Sequence, residues 1–164
     1  MTSPSTPQDP QRTLLRHTLA TLAYRGGKAL RDAPESFATF KASAHTRTPG
    51  QILAHISDLL EWSLTQFSGK EAWHDSPPLD WHAGSERFFT TLAKVDNYLG
   101  SDAPLSSSAE RVFQGAIADA FTHVGQISLL RGLAGCPVKA ENYHKADIAI
   151  GRVGADQSPP RREF

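Results

Sequence analysis

Three residues in this sequence carry side chains able to hold a cation, at positions that would let them act together: His55, Asp119 and His123. Asp119 and His123 are four residues apart, which on a helix stacks two side chains on one face, one turn apart. A helical wheel places both among Val112, Ala116, Ala120, Ile127 and Leu130, with Gln126 bordering the same sector. In an earlier segment His55 shares a sector with Ile52, Ile56 and Leu59, while Asp58, Glu61 and Thr65 fall opposite. A carboxylate turned into an apolar interior is costly unless it meets a cation, a donor or water. Two imidazoles and a carboxylate converging between helices meet that demand by taking a divalent ion, with coordination positions left for water and substrate. A plainer reading stands beside it. Asp119 and His123 could simply hydrogen-bond each other within their helix, with His55 satisfied by a backbone carbonyl.

Four segments with helical periodicity must position these residues, and none reads as a series of strands and turns. The first spans about Pro10 to Arg31, with Leu14, Leu15, Thr18, Leu22 and Leu30 on its apolar face and a bend expected at Gly26-Gly27. The second is punctuated by Thr48 as cap, Pro49 in the first turn and Gly69 as stop after Ser68. The third spans about Asp80 to Leu99, striped by Phe88, Phe89, Leu92, Val95 and Leu99. The fourth spans about Ser107 to Ala134 and ends at Gly135-Cys136-Pro137. Four such helices with short links predict an all-α four-helix bundle. The expected organisation is a disordered leader over 1–10, a bundle domain over 11–153 and a flexible tail over 154–164. The segment after Pro137 should pack back on the bundle through Ile148, Ile150 and Val153, with a short helix near Ala140 to Ala146.

Composition narrows the function. The 164 residues suit one domain. Seventeen basic and 17 acidic residues give a formal charge of +0, so no basic field exists to hold a nucleic acid. Arg161 and Arg162 read as part of a solvated tail. A single cysteine, Cys136, cannot form an internal disulfide, and no apolar run approaches the ~20 residues of a membrane span. The N-terminus lacks the pattern of a signal peptide. A cytoplasmic location without membrane association is expected.

Two stretches carry a family resemblance. One is Thr48-Pro49-Gly50-Gln51-Ile52-Leu53-Ala54-His55-Ile56; the other is Asp119-Ala120-Phe121-Thr122-His123-Val124-Gly125-Gln126-Ile127, followed by Leu130-Arg131 and Gly135. Together they resemble the DinB/YfiT-like superfamily of bacterial four-helix bundles, over roughly Arg12 to Gly151. That family's fourth helix commonly shows histidine, three residues, histidine, then one residue, glycine and glutamine. Here His123-Val124-Gly125-Gln126 matches the second half of the pattern, and Asp119 stands where the first histidine would be. The resemblance implies a divalent metal, zinc or nickel, on His55, Asp119 and His123. The carboxylate in place of an imidazole gives a harder donor set that also admits iron or manganese. It further implies a thiol-dependent transferase or a hydrolase acting on a small molecule, since relatives conjugate low-molecular-weight thiols such as bacillithiol or mycothiol, or isomerise maleylpyruvate. The alternative is a non-catalytic metal-binding or small-molecule-binding stress-response bundle with a degenerate site. Relatives often form dimers. Phe121, Gly125, Ser128, Leu129 and Gly132 give helix four a second face on which a homodimer is expected.

Other residues invite roles of their own. Arg131 is a candidate for a substrate carboxylate, with a surface salt bridge as its plainer role. Trp62 and Phe67 read as packing residues. Trp73, His74, Trp81 and His82 lie around a loop that could wall a pocket, and the two histidines suggest a second metal only weakly. Tyr143 and His144 are the tail's candidates for catalysis, with His144 a possible fourth ligand or simply an exposed loop residue.

Overall fold

The computed structural model describes residues 9–164. The leader expected over 1–10 therefore lies outside the described residues, apart from Asp9 and Pro10. Those two open the first helix, Asp9 accepting from the Gln11 N–H and Pro10 filling the first turn. The described residues are helical, with no β-strand among them and one isolated bridge, Glu141 to Glu163.

Helix α1 covers Pro10–Leu30, α2 covers Pro49–Ser68 and α3 covers Trp81–Leu99. The fourth helix is built from α4, Ala109–Val112, a single π turn at Phe113–Ile117, and α5, Ala118–Leu133. Contacts run from α1 to α3, α3 to α2, α2 to α5 and α5 back to α1, so α1 and α2 sit on one diagonal of a four-helix bundle. The core between them is filled by Leu19 and Leu22 of α1, Leu53, Ile56 and Leu60 of α2, Phe88 and Leu92 of α3, and Ile117 and Ile127 of the fourth helix. No helix among the described residues is long and apolar enough to cross a membrane.

The caps agree with the punctuation of the sequence. Thr48 and Gln51 form a reciprocal capping box at the start of α2, and Gly69 ends it in the left-handed conformation at φ 72°. Asp80 caps α3 and Ser108 caps α4.

Two expectations are corrected, and the glycine pair of α1 gains a packing reason. Helix α1 is continuous through Gly26-Gly27. A Cβ on Gly26 would sit 2.6 Å from the Phe88 ring, so this glycine permits close approach of α3. Leu14, placed on the apolar face of α1, is 67% exposed. The fourth helix is not one regular period, because the π turn inserts a residue and lets Ala116 and Ile117, adjacent in sequence, both be fully buried. The insertion resets the phase of α5 just before Asp119.

The segment after Pro137 packs on the bundle. Glu141 is buried and accepts from Tyr24 Oη at 2.5 Å and from Lys28 Nζ at 2.6 Å. Lys28 also bonds Glu163 at 2.8 Å. Burial, and then the bond to Glu141, push the Tyr24 hydroxyl well above its ordinary pKa. Val153 is buried and Ile148 half-buried, while Ile150 is exposed. Residues 162–164, placed by the sequence in a flexible tail, run beside 140–142: Asn142 N–H donates to Arg162 O and Phe164 N–H to Ala140 O, each at 3.0 Å.

Candidate functional site

Helices α2 and α5 pack side by side, which brings His55 against Asp119 and His123. One donor atom from each of the three lies within 4.8 Å of the other two. His55 Nε2 stands 3.7 Å from Asp119 Oδ2, and His123 Nε2 stands 3.5 Å from Asp119 Oδ1. The two imidazole rings meet edge to face, with centroids 4.8 Å apart. A tetrahedral ion with ~2.0 Å bonds sets its ligands ~3.3 Å apart; the two imidazoles approach different oxygens of Asp119 near that distance, while the set of one atom from each residue spreads up to 4.8 Å and would have to close on an ion. The side chains are exposed by 20% for His55, 12% for His123 and 46% for Asp119: two sheltered imidazoles and a carboxylate open to solvent.

The plainer reading required two hydrogen bonds. His55 has no backbone carbonyl partner among the described residues. Asp119 and His123 approach to 3.5 Å without forming a hydrogen bond, and the bond His123 does make is to Gln126.

Gln126 orients the ring of His123. His123 Nδ1 lies 2.7 Å from Gln126 Oε1. An amide oxygen accepts, so with Nδ1 donating to Gln126 the ring is oriented with Nε2 toward Asp119, 3.5 Å away. The three-residue spacing within α5 makes this contact local. The sequence placed Gln126 beside the site, and the structure supplies its task.

Electrostatics favour the ligand form of His55. Burial lowers its pKa, and the charges of His123 and Arg47 lower it further, against the opposing pull of Asp119 and Asp58. The ring is therefore predominantly neutral near pH 7. Trp73 covers it edge-on at 5.6 Å and meets Trp62 at 6.2 Å. Trp62 in turn stands against Gly115 of the π turn.

The loop bearing Trp73 is anchored by a residue whose burial the wheel did not anticipate. Asp58, placed opposite the apolar sector, is only 2% exposed. Its carboxylate accepts from Ser76 N–H at 2.8 Å, Ser76 Oγ at 2.7 Å and Arg87 Nη2 at 2.6 Å, while Arg87 also pairs with Glu61 at 3.0 Å. Burial alone would raise the Asp58 pKa. The Ser76 backbone N–H, then Arg87 and the Ser76 hydroxyl, outweigh it and hold the carboxyl below its ordinary value.

A cleft of about 560 Å³ opens on the two imidazoles, with Gln126 beside them. Ile52, Leu129 and Leu130 form its apolar wall, and Arg47 stands at its rim. A second cleft, of about 380 Å³, shares Arg47 and His55 and is bounded by Asp75, Ser76 and Pro77.

The remaining candidates lie elsewhere. Arg131 is buried and donates to the carbonyls of Cys136 at 2.8 Å, Ala29 at 3.1 Å and Arg31 at 2.5 Å. It is neither a carboxylate binder nor a surface salt bridge; it ties together the C-terminal ends of α1 and α5. Tyr143 packs edge-on against Tyr24 and beneath Arg25, whose guanidinium carbon is 4.3 Å from the ring centre. His144 is exposed, and neither it nor Tyr143 lines the clefts at His55. His82 pairs with Glu86 at 3.4 Å, and the one group of three metal-ligating side chains among the described residues does not include His74 or His82. Arg47 escaped the sequence reading, because nothing local distinguishes the residue before a helix cap.

The fold and site together define an all-α bundle with a His-Asp-His cluster between adjacent helices. No family model, no curated protein and no solved structure matches the chain.

Proposed function

We propose that the chain is a DinB-like bundle that binds a divalent metal through His55, Asp119 and His123, and that it acts on a small molecule as a thiol-dependent transferase or a hydrolase. The observation that carries this reading is the donor set: two imidazoles and a carboxylate facing one another beside a cleft, with the His123 ring oriented by Gln126. Donors of this kind suit zinc or nickel, and the carboxylate also suits iron or manganese. A divalent ion there would lower the pKa of a water or thiol and so supply a nucleophile near neutral pH. The chain's own part is to hold His55 neutral, orient His123 through Gln126 and shelter the His55 ring under Trp73, itself backed by Trp62.

Elemental mass spectrometry on untagged protein tests the reading. Near-stoichiometric zinc, nickel, iron or manganese is expected in the wild type and should be lost in His123→Ala. A wild type that stays metal-free after reconstitution with each of the four would overturn it. The exposure of Asp119 favours the second reading, a binding bundle without catalysis, in which metal is held but neither thiol transfer nor hydrolysis is found.

The same proposal includes a homodimer through α5. Leu133 is 60% exposed and a Cβ on Gly125 or Gly132 would meet nothing within 4 Å, whereas Leu129, expected on the same face, lines the cleft at His55 and is left out of the contact. Phe121 is instead half-buried against the core, which moves the proposed contact toward the C-terminal half of α5. A dimer is expected in light scattering at micromolar concentration, and a monomer there would count against it.

A further inference from the structure

The cleft at His55 has an unusual distribution of charge. Ile52, Leu129 and Leu130 line it with the two imidazoles, Thr46 and Gln126, and its one permanently charged lining residue is Arg47. Arg47 is exposed and makes no hydrogen bond or ion pair among the described residues. Asp75 borders the smaller cleft with it, yet the two form no ion pair. Arg131 shows the contrast, with its guanidinium committed to three backbone carbonyls.

We propose that Arg47 is a specificity-determining residue that selects an aliphatic monocarboxylate for this cleft, its guanidinium taking the carboxylate while Ile52, Leu129 and Leu130 take the chain. The inference rests on reading the His55 cleft as a ligand site, and not on an ion being present there. A planar guanidinium pairs with a carboxylate through two parallel N–H donors. The apolar wall offers no partner for further charge. Asp119, whose carboxylate lies within 4.8 Å of the imidazole nitrogens at this cleft, repels a dianion such as phosphate more strongly than a monoanion. Arg47 also adds the positive charge that an anion needs in order to approach a site containing Asp119.

The test compares hexanoate with hexanamide, which share a chain length and differ in charge. Binding to the full chain is followed by NMR titration, with one equivalent of zinc and again in excess chelator. The measured quantity is the ratio of the two affinities in wild type divided by the same ratio in Arg47→Gln. This cancels any direct contact of hexanoate with zinc. Arg47→Gln is expected to reduce the preference for hexanoate about fivefold, as for an exposed charge pair, and to leave hexanamide unchanged. Arg47→Lys should keep part of the preference. Arg111→Gln, which removes an exposed arginine at a different cleft, should keep all of it. A preference that survives Arg47→Gln, or is lost equally in Arg111→Gln, overturns the proposal, as does a wild type that binds neither compound. Metal content, measured separately, decides the metal reading. A metal-free protein that still shows Arg47-dependent selection of hexanoate would overturn that reading and uphold this one.

Discussion

Two polar clusters lie along α2, three residues apart, and they are built in opposite ways. At Asp58 every strong interaction is closed: a buried carboxylate accepts from a backbone N–H, a hydroxyl and a guanidinium. At His55 the groups converge without hydrogen-bonding one another: His55 and His123 both face Asp119 at 3.5 to 3.7 Å beside an open cleft. A buried charge must be neutralised by the fold itself or the fold fails. A cluster open to solvent can keep its lone pairs free for a ligand. Asp58 therefore serves as scaffold, pinning the loop that carries Trp73, whereas His55 belongs to the part of the molecule that this scaffold holds in place.

The largest expected effect comes from breaking the closed cluster. Asp58→Ala leaves Arg87 with Glu61 and the Ala54 carbonyl and releases Ser76, and should cost about 3 kcal/mol of stability in urea unfolding. A loss under about 1 kcal/mol would mean that the carboxylate is not the scaffold described. Next comes the open cluster's support. Gln126→Leu should weaken metal affinity about 10- to 100-fold, because the His123 ring loses the hydrogen-bond partner that orients it. Since Gln126 is exposed, stability of the metal-free protein should move by no more than about 0.5 kcal/mol. An unchanged affinity would remove Gln126 from the site.

The smallest effect is on pH dependence, and it separates the clusters by range, with the same sign in both. His55 has its folded pKa lowered from the ordinary 6.5, so below that pH the unfolded chain takes up the proton first. Stability of the metal-free protein should fall as pH drops from about 6.5 toward the folded value, and His55→Gln should flatten that part of the curve. Asp58 also has a lowered folded pKa, but its contribution persists until the carboxylate range and is lost only as pH falls through it. Thermal melts in chelator between pH 7 and pH 3 resolve the two. Equal slopes near pH 6 in wild type and His55→Gln would remove His55 from that range.

Much of the frame was legible from local rules. Thr48, Pro49 and Gly69 bound α2 as their chemistry requires, because caps depend on hydrogen bonds a few residues long. Heptad-scale apolar spacing gave the all-helical class and the four main helices for the same reason. The packing reason for Gly26 was not legible, because the Phe88 ring that demands it belongs to another helix. The π turn left no periodic trace strong enough to detect, yet it governs which face of α5 turns inward.

At the site, the sequence by itself determined that Asp119, His123 and Gln126 share one face of a helix, since a spacing of three or four residues is enough to place them. Only the tertiary structure decided that His55 joins them, because that depends on α2 packing beside α5. It also decided which charges are consumed and which are left over. Asp58 and Arg131 are spent inside the fold, while Arg47 remains free at the rim. Burial and pairing belong to the assembled bundle, where groups far apart in the chain compete for the same partners, and no local spacing can report the outcome of that competition.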